Sequence, residues 1–168
     1  MKTKENGRVD PTLTRQHLDQ LLGEEVRSLS QLESLLATEH GLLQGNDVEA
    51  LERACNARQS CTANLLRIDD DRRALCRMLD FQTDAEGLRQ LMNWCDPAGD
   101  LRSRWTECMR IAAQCRQLNE RNGALVAAKL KRVAGLLGML TGRDSAASVY
   151  SSKGGYAPLP AGHTLAQA

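Results

Sequence analysis

Six cysteines, three histidines and a run of three aspartates are the residues of this chain whose chemistry would matter most if their spacing brought them together. The spacing does not. Cys55 and Cys61 stand six apart, Cys108 and Cys115 seven apart, no pair makes a CxxC, and His17, His40 and His163 are scattered, so neither a zinc ligand set nor a redox dithiol is built. The start MKTKENGRVD has no apolar segment of the kind a secretory signal carries, and the cysteines read as free thiols, most of them small core residues. Asp69, Asp70 and Asp71, followed by Arg72 and Arg73, look like a carboxylate cluster. Successive helical residues point about 100° apart, so three in a row cannot converge on one ion, and a solvated face is expected. With no Gly-rich phosphate loop and no nucleophile and base pair, the sequence predicts neither an enzyme nor a cofactor.

A different kind of chemistry, recognition by an apolar helix face, is written in Gln117 to Leu140, QLNERNGALVAAKLKRVAGLLGML. Leu118, Leu125, Val126, Val133, Leu136, Leu137 and Leu140 recur at the spacings of one helix face. Asn119, Asn122 and Gly123 interrupt the first half, although each costs a helix roughly half to one kcal/mol relative to Ala. Two readings stand: a polar residue on a buried seam that fixes register beside a Gly that lets a backbone come close, or a solvent-facing Asn pair near a kink.

Composition says what can position such a stretch. A chain of 168 residues is long enough to bury a core, and with aromatics at only 3% that core must be built from Leu, Ala, Val, Met and Cys, a palette for helices. The net charge of +1 hides an asymmetry: residues 1–52 hold five Lys/Arg and ten Asp/Glu, whereas residues 101–143 hold nine Lys/Arg and two Asp/Glu. A basic surface for nucleic acid or an acidic partner is one reading. The other is that the first and last long helices pack with complementary charges. The basic residues carry no clustered aromatics for base stacking, so no nucleic acid is expected as partner, and no apolar run approaches the ~20 residues of a membrane span.

Taken in order, Asp10 and Pro11 start a first helix, with Leu22, Leu29, Leu36 and Leu43 at strict sevens and Leu18 and Leu32 beside them. Gln44 to Asp47 turn the chain, and so short a link folds the second helix back antiparallel. That helix, about Val48 to Leu79, has the stripe Leu51, Ala54, Cys61, Leu65, Ile68, Leu75 and Leu79, with Arg58 and Arg72 at its edge. Thr83, with Glu86 in the capping-box position, starts a short third helix, about Asp84 to Asn93. Asp96 and Pro97 start a fourth running to Leu140. The fold class is all-α, an elongated antiparallel bundle of three long helices and one short one over residues 1–142. The segment 143–168, rich in Ser, Ala, Gly and Pro, is expected to be a disordered tail. It holds both tyrosines, Tyr150 and Tyr156, and aromatics kept out of the core but present in a tail suggest anchors for a partner.

These pieces resemble the FlgN-type flagellar export chaperones. LLQGNDVEALERACNARQ, LNERNGALV and the tyrosine followed shortly by glycine in YSSKGG carry the likeness, which spans nearly the whole chain. It implies a cytoplasmic chaperone that binds hook-associated flagellar proteins and delivers them to the flagellar type III export gate, with no membrane insertion. Subunit binding then falls by position on Leu118, Asn119, Asn122, Gly123, Leu125, Val126, Val133, Leu136, Leu137 and Leu140. Docking at the gate falls on Tyr150, whose following glycine fits best, or on Tyr156. The runner-up is a helical adaptor or nucleic-acid-binding protein using the basic C-terminal helix.

Overall fold

A computed structural model of the chain describes residues 10–142, and these form four helices: α1 (Pro11–Gln44), α2 (Val48–Met78), α3 (Ala85–Cys95) and α4 (Asp100–Thr141), with no strand among the described residues. Three long helices and one short one are as the hydrophobic period predicts. The expected tail, with Tyr150 and Tyr156, lies outside the described residues. The chain divides into two compact units, Met1–Val126 and Ala127–Ala168. The first holds α1, α2, α3 and α4 as far as Val126; of the second, residues 127–142 are described.

Local signals set the first two helices. The Asp10 carboxylate accepts from the Thr12 amide at 2.8 Å ahead of Pro11, and Asp47 accepts from the Ala50 amide at 2.9 Å, each satisfying a helix-start amide that would otherwise have no partner. The link between them is Gly45 to Asp47, so α2 runs back along α1: Asn64 and Cys61 meet Ser28, while Arg58 and Cys55 meet Glu39. Leu18, Leu22, Leu29, Leu36 and Leu43 are buried, as are Ala54, Cys61, Ile68 and Leu75 opposite them. Truncating a core leucine of this kind to Ala costs about 2–5 kcal/mol.

α4 joins α1 in a parallel pairing. Cys108 Sγ donates to the Leu22 carbonyl, Cys115 Sγ to the Leu29 carbonyl and Asn122 Nδ2 to the Leu36 carbonyl, at 3.8, 3.5 and 2.9 Å. Each partner lies one heptad beyond the last. Small side chains at this seam reach the α1 main chain, which a leucine could not do with its apolar tip, so these cysteines act as donors as well as core residues.

α3 closes one end, burying Leu88, Leu91, Met92 and Cys95 in one cluster with Leu18, Leu22, Leu75, Cys76 and Leu101. Its N-cap differs from the expected Thr83: Asp84 holds the position, its carboxylate accepting from the Gly87 amide at 2.8 Å. Glu86 is turned instead to Arg89 and Gln90, and these two, Arg89 first, draw its carboxyl down to about 2. A Cβ at Gly87 would fall 1.9 Å from the Gln82 carbonyl oxygen, so the incoming loop requires glycine there.

The second Asp-Pro pair also differs from its expected use. Asp96 is the C-cap of α3, its amide donating to the Met92 carbonyl at 2.8 Å. The chain turns through Gly99 at φ +90° and α4 begins at Asp100 rather than Pro97. The Asp96 carboxylate, with its side chain 2% exposed, reaches across the turn to the Leu101 amide at 2.8 Å and to Arg15 Nε at 3.0 Å. It therefore caps α4 from outside the helix. The Leu101 amide, more than Arg15, holds its pKa below the ordinary value against the cost of burial.

Charges balance elsewhere than expected. Asp19 of α1 pairs with Arg104 of α4 at 3.0 Å, but Glu24, Glu25 and Glu39 of α1 take arginines of α2, namely Arg67, Arg72 and Arg58. The acidic first helix is neutralised mainly by its hairpin partner. Among the described residues, no carboxylate lies within 4 Å of Arg116, Arg121, Lys131 or Arg132, which stay on α4 with their charge uncompensated by an ion pair.

Candidate functional site

The stretch read as the recognition helix is helical throughout, and its residues fall into two settings. In the first unit Asn122 is buried, Leu118 and Leu125 are half-buried, and Asn119, Gly123 and Val126 are exposed. Both readings of the asparagines therefore hold, one for each. Asn119 faces solvent and accepts from Arg58 at 3.2 Å. No neighbour comes within 4 Å of a Cβ placed on Gly123, so close approach is not the reason for that glycine.

Asn122 sits one heptad after Cys115 and ends the seam in a polar network. Its Nδ2 donates to the Leu36 carbonyl and, at 3.3 Å, to Glu39 Oε2, so its Oδ1 must accept, and His40 Nδ1 donates to it at 2.9 Å. The other His40 nitrogen then accepts from Gln44 Nε2 at 3.2 Å. Buried Glu39 also accepts from Cys55 Sγ at 3.3 Å and lies 3.6 Å from Arg58. Each buried polar atom is thereby partnered, the condition under which such a group is tolerated in a core. Sequence reasoning missed this network; the signal was polar Glu39 and His40 lying between the seam leucines Leu36 and Leu43.

In the second unit the described helix buries almost none of its large apolar side chains. Val133, Leu136 and Leu137 are 53–55% exposed and Leu140 is 83% exposed. Leu130 and Met139, absent from the sequence-predicted set, are exposed too. Leu130, Val133, Leu137 and Leu140 follow at steps of three and four, so the periodicity that found the others was sufficient to find Leu130. From Val133 to Thr141 there is no charged residue, while Lys129, Lys131 and Arg132 precede. A helix without a charged face is ordinarily a buried one. Covering six such side chains would contribute on the order of 5–10 kcal/mol before the cost of association.

The groups that could do covalent or metal chemistry are placed otherwise. The cysteines are free thiols, five of them buried. Burial pushes the Cys108 thiol up to about 12, with Glu25 adding, and raises Cys61, Cys76, Cys95 and Cys115 as well; such thiols are poor nucleophiles near neutrality. Asp69 pairs with Arg72 and Arg73, Asp71 with Arg67, and Asp70 is exposed, an ordinary solvated face. Among the described residues no group of three or more His, Cys, Asp or Glu side chains could hold a metal ion. No described helix is long and apolar enough to cross a membrane.

A family model described as FlgN protein matches residues 14–158, well over half of the chain. No curated protein and no solved structure matches it. The chain belongs to the FlgN family, a family of flagellar export chaperones.

Proposed function

From that membership we propose that the chain binds hook-associated flagellar subunits in the cytoplasm and delivers them to the flagellar type III export gate. The observation that carries the subunit-binding half is the charge-free end of α4, whose Val133, Leu136, Leu137 and Leu140 stand exposed with Leu130 and Met139 around them. An amphipathic helix of the cargo laid on that face would bury apolar surface on both partners, which is how helix-in-groove recognition gains its affinity. In the bundle part of α4, Asn122 bonds to the Leu36 carbonyl of α1 and Leu118 packs against the core cluster. Delivery rests on Tyr150 or Tyr156, tail residues outside the described part of the chain, as the aromatic anchor for the gate.

The test separates a binding face from a core. Replacing Leu136, Leu137 and Leu140 together by Asp should abolish co-purification of hook-associated proteins from a flagellated cell while the cooperative thermal transition is retained, because exposed residues can be made polar at little folding cost. A variant that keeps its subunit, or one that loses the transition, would place the binding surface elsewhere. Titration of the wild-type chain with a hook-associated subunit should be nearly insensitive to salt. A basic helix bound to phosphates would instead lose affinity steeply as salt rises.

A further inference from the structure

The first unit has a furrow between α2 and α4 that neither the α1 seam nor the charge-free helix end uses. Along α2, Arg58, Thr62, Leu65, Asp69, Arg72 and Cys76 follow at steps of three and four; along α4, Trp105, Met109, Ala112, Arg116 and Asn119 do the same. Such spacing puts each row on one helix face. The two rows are walls, and α1 is the floor. At one end stands α3: Asp84, Ala85 and Leu88 share a concavity of about 270 Å³ with Arg72, Cys76, Trp105 and Met109. Arg72 crosses there from wall to wall, its guanidinium carbon 4.7 Å from the centre of the Trp105 ring while it pairs with Glu25 of the floor.

Past that bridge the furrow opens again. Leu29, Leu32 and Leu36 form the floor of a second concavity of about 400 Å³, walled by Arg58 and Thr62 on one side and by Ala112, Arg116 and Asn119 on the other. Its shape already has an occupant of known kind at the far end, because α3 is a short helix whose apolar side chains Leu88, Leu91 and Met92 are buried in the same core cluster as Leu29 and Leu36. Its charge selects the occupant further. Arg116 is exposed and has no carboxylate within 4 Å, Arg58 lies 3.6 Å from Glu39 and donates to Asn119 on the opposite wall at 3.2 Å, and no acidic side chain lines the open part. Beside a leucine floor, Arg116 on the α4 wall offers a guanidinium fork without an ion-pair partner and Arg58 adds positive charge from α2, which together favour carboxylates on the flanks of an apolar helix face. The chain's own α4 end is a poor fit, since it brings Lys129, Lys131 and Arg132 and no acid.

We infer that this furrow is a second docking site, formed wholly by the first unit, for an amphipathic helix of a partner protein whose apolar face is flanked by acidic residues. It is independent of the cargo reading of the α4 end.

The test is fluorescence anisotropy on the full chain with two labelled peptides of about four helical turns, sharing one leucine face. One is flanked by glutamates and the other by lysines. The glutamate peptide should bind at least about tenfold more tightly. Arg116→Glu should reverse the order of the two. Thr62→Trp, which fills the concavity from an exposed position, should remove glutamate-peptide binding with the helical circular dichroism unchanged. Equal binding of the two peptides would overturn the inference, as would unaltered binding in Arg116→Glu. If Leu137→Asp and not Thr62→Trp removed the binding, the peptide would be seated at the α4 end and the furrow would lose its assignment. A stable dimer in sedimentation that excludes the glutamate peptide would seat a second copy there and overturn it equally.

Discussion

Asn122 carries more of the fold than its residue type announces. Its amide satisfies the Leu36 carbonyl, a Glu39 oxygen and the His40 ring at once, so Asn122→Ala strands buried polar atoms on α1 rather than merely deleting a side chain. The variant should lose about 1–3 kcal/mol, read as a lower urea midpoint with an unchanged slope. The sequence shows that polar residues stand on a helical stripe. Which of Asn119 and Asn122 turns inward depends on the phase of α4 against α1, and that phase is set by Leu101, Cys108 and Cys115 far upstream. Cys108 gives a pH dependence of definite sign. Its pKa is raised from an ordinary value of 9.0 to about 12 in the fold, so the folded chain holds a proton that the unfolded chain gives up between those values. The stabilisation is complete below pH 9 and is lost as pH rises toward 12. Thermal melts should decline over that window, and Cys108→Ala, though less stable at neutral pH, should decline less steeply.

At the scale of the helix, starts and stops were more legible than the connections between them. Asp10 with Pro11 and Asp47 after Gly45 act through their own next amides, so the sequence alone locates them. Asp96 acts on Leu101 across a turn that depends on Gly99 and on Arg15 of another helix, and no local pattern contains that information. The end of α2 is a further case. The Phe81 amide donates to the Cys76 carbonyl at 2.9 Å and the Asp80 amide to the Arg77 carbonyl at 3.2 Å, with Asp80 at φ +60°. This is the Schellman arrangement with aspartate where glycine is usual. Asp80→Gly should therefore raise stability by roughly 0.5–1 kcal/mol, since relief of the left-handed conformation outweighs the added freedom of the unfolded chain. A denaturation midpoint that falls instead would mean that the Asp80 side chain holds the turn.

For the whole molecule, the sequence predicted the hairpin and the four-helix order because both follow from strict sevens and a three-residue link. It did not reveal that α1 is neutralised chiefly by α2, since charge counts along a chain are blind to which helix lies beside which. Nor could the period of the α4 apolar residues say where packing stops: Asn122 and Leu140 obey the same repeat, yet one is buried and the other exposed, because Gln44 ends α1 and the ladder of seam partners ends with it. That division separates a part of α4 packed in the bundle from a described part whose large apolar side chains are exposed. In the reading proposed above, Tyr150 is the anchor for the export gate. Tyr150→Ala should leave the melting temperature and the affinity for subunit nearly unchanged, within about ±0.5 kcal/mol, as substitutions away from a core generally do. Affinity of the chaperone and subunit complex for the soluble part of the gate should fall by roughly thirtyfold, the effect of losing one aromatic anchor worth about 2 kcal/mol. Tyr156→Ala, whose next residues Ala157 and Pro158 break the tyrosine-then-glycine pattern, should be milder. Titrations in which Tyr150→Ala binds like the wild type and only Tyr156→Ala is weakened would move the anchor along the tail, and a double variant that still binds fully would remove the tail from docking altogether.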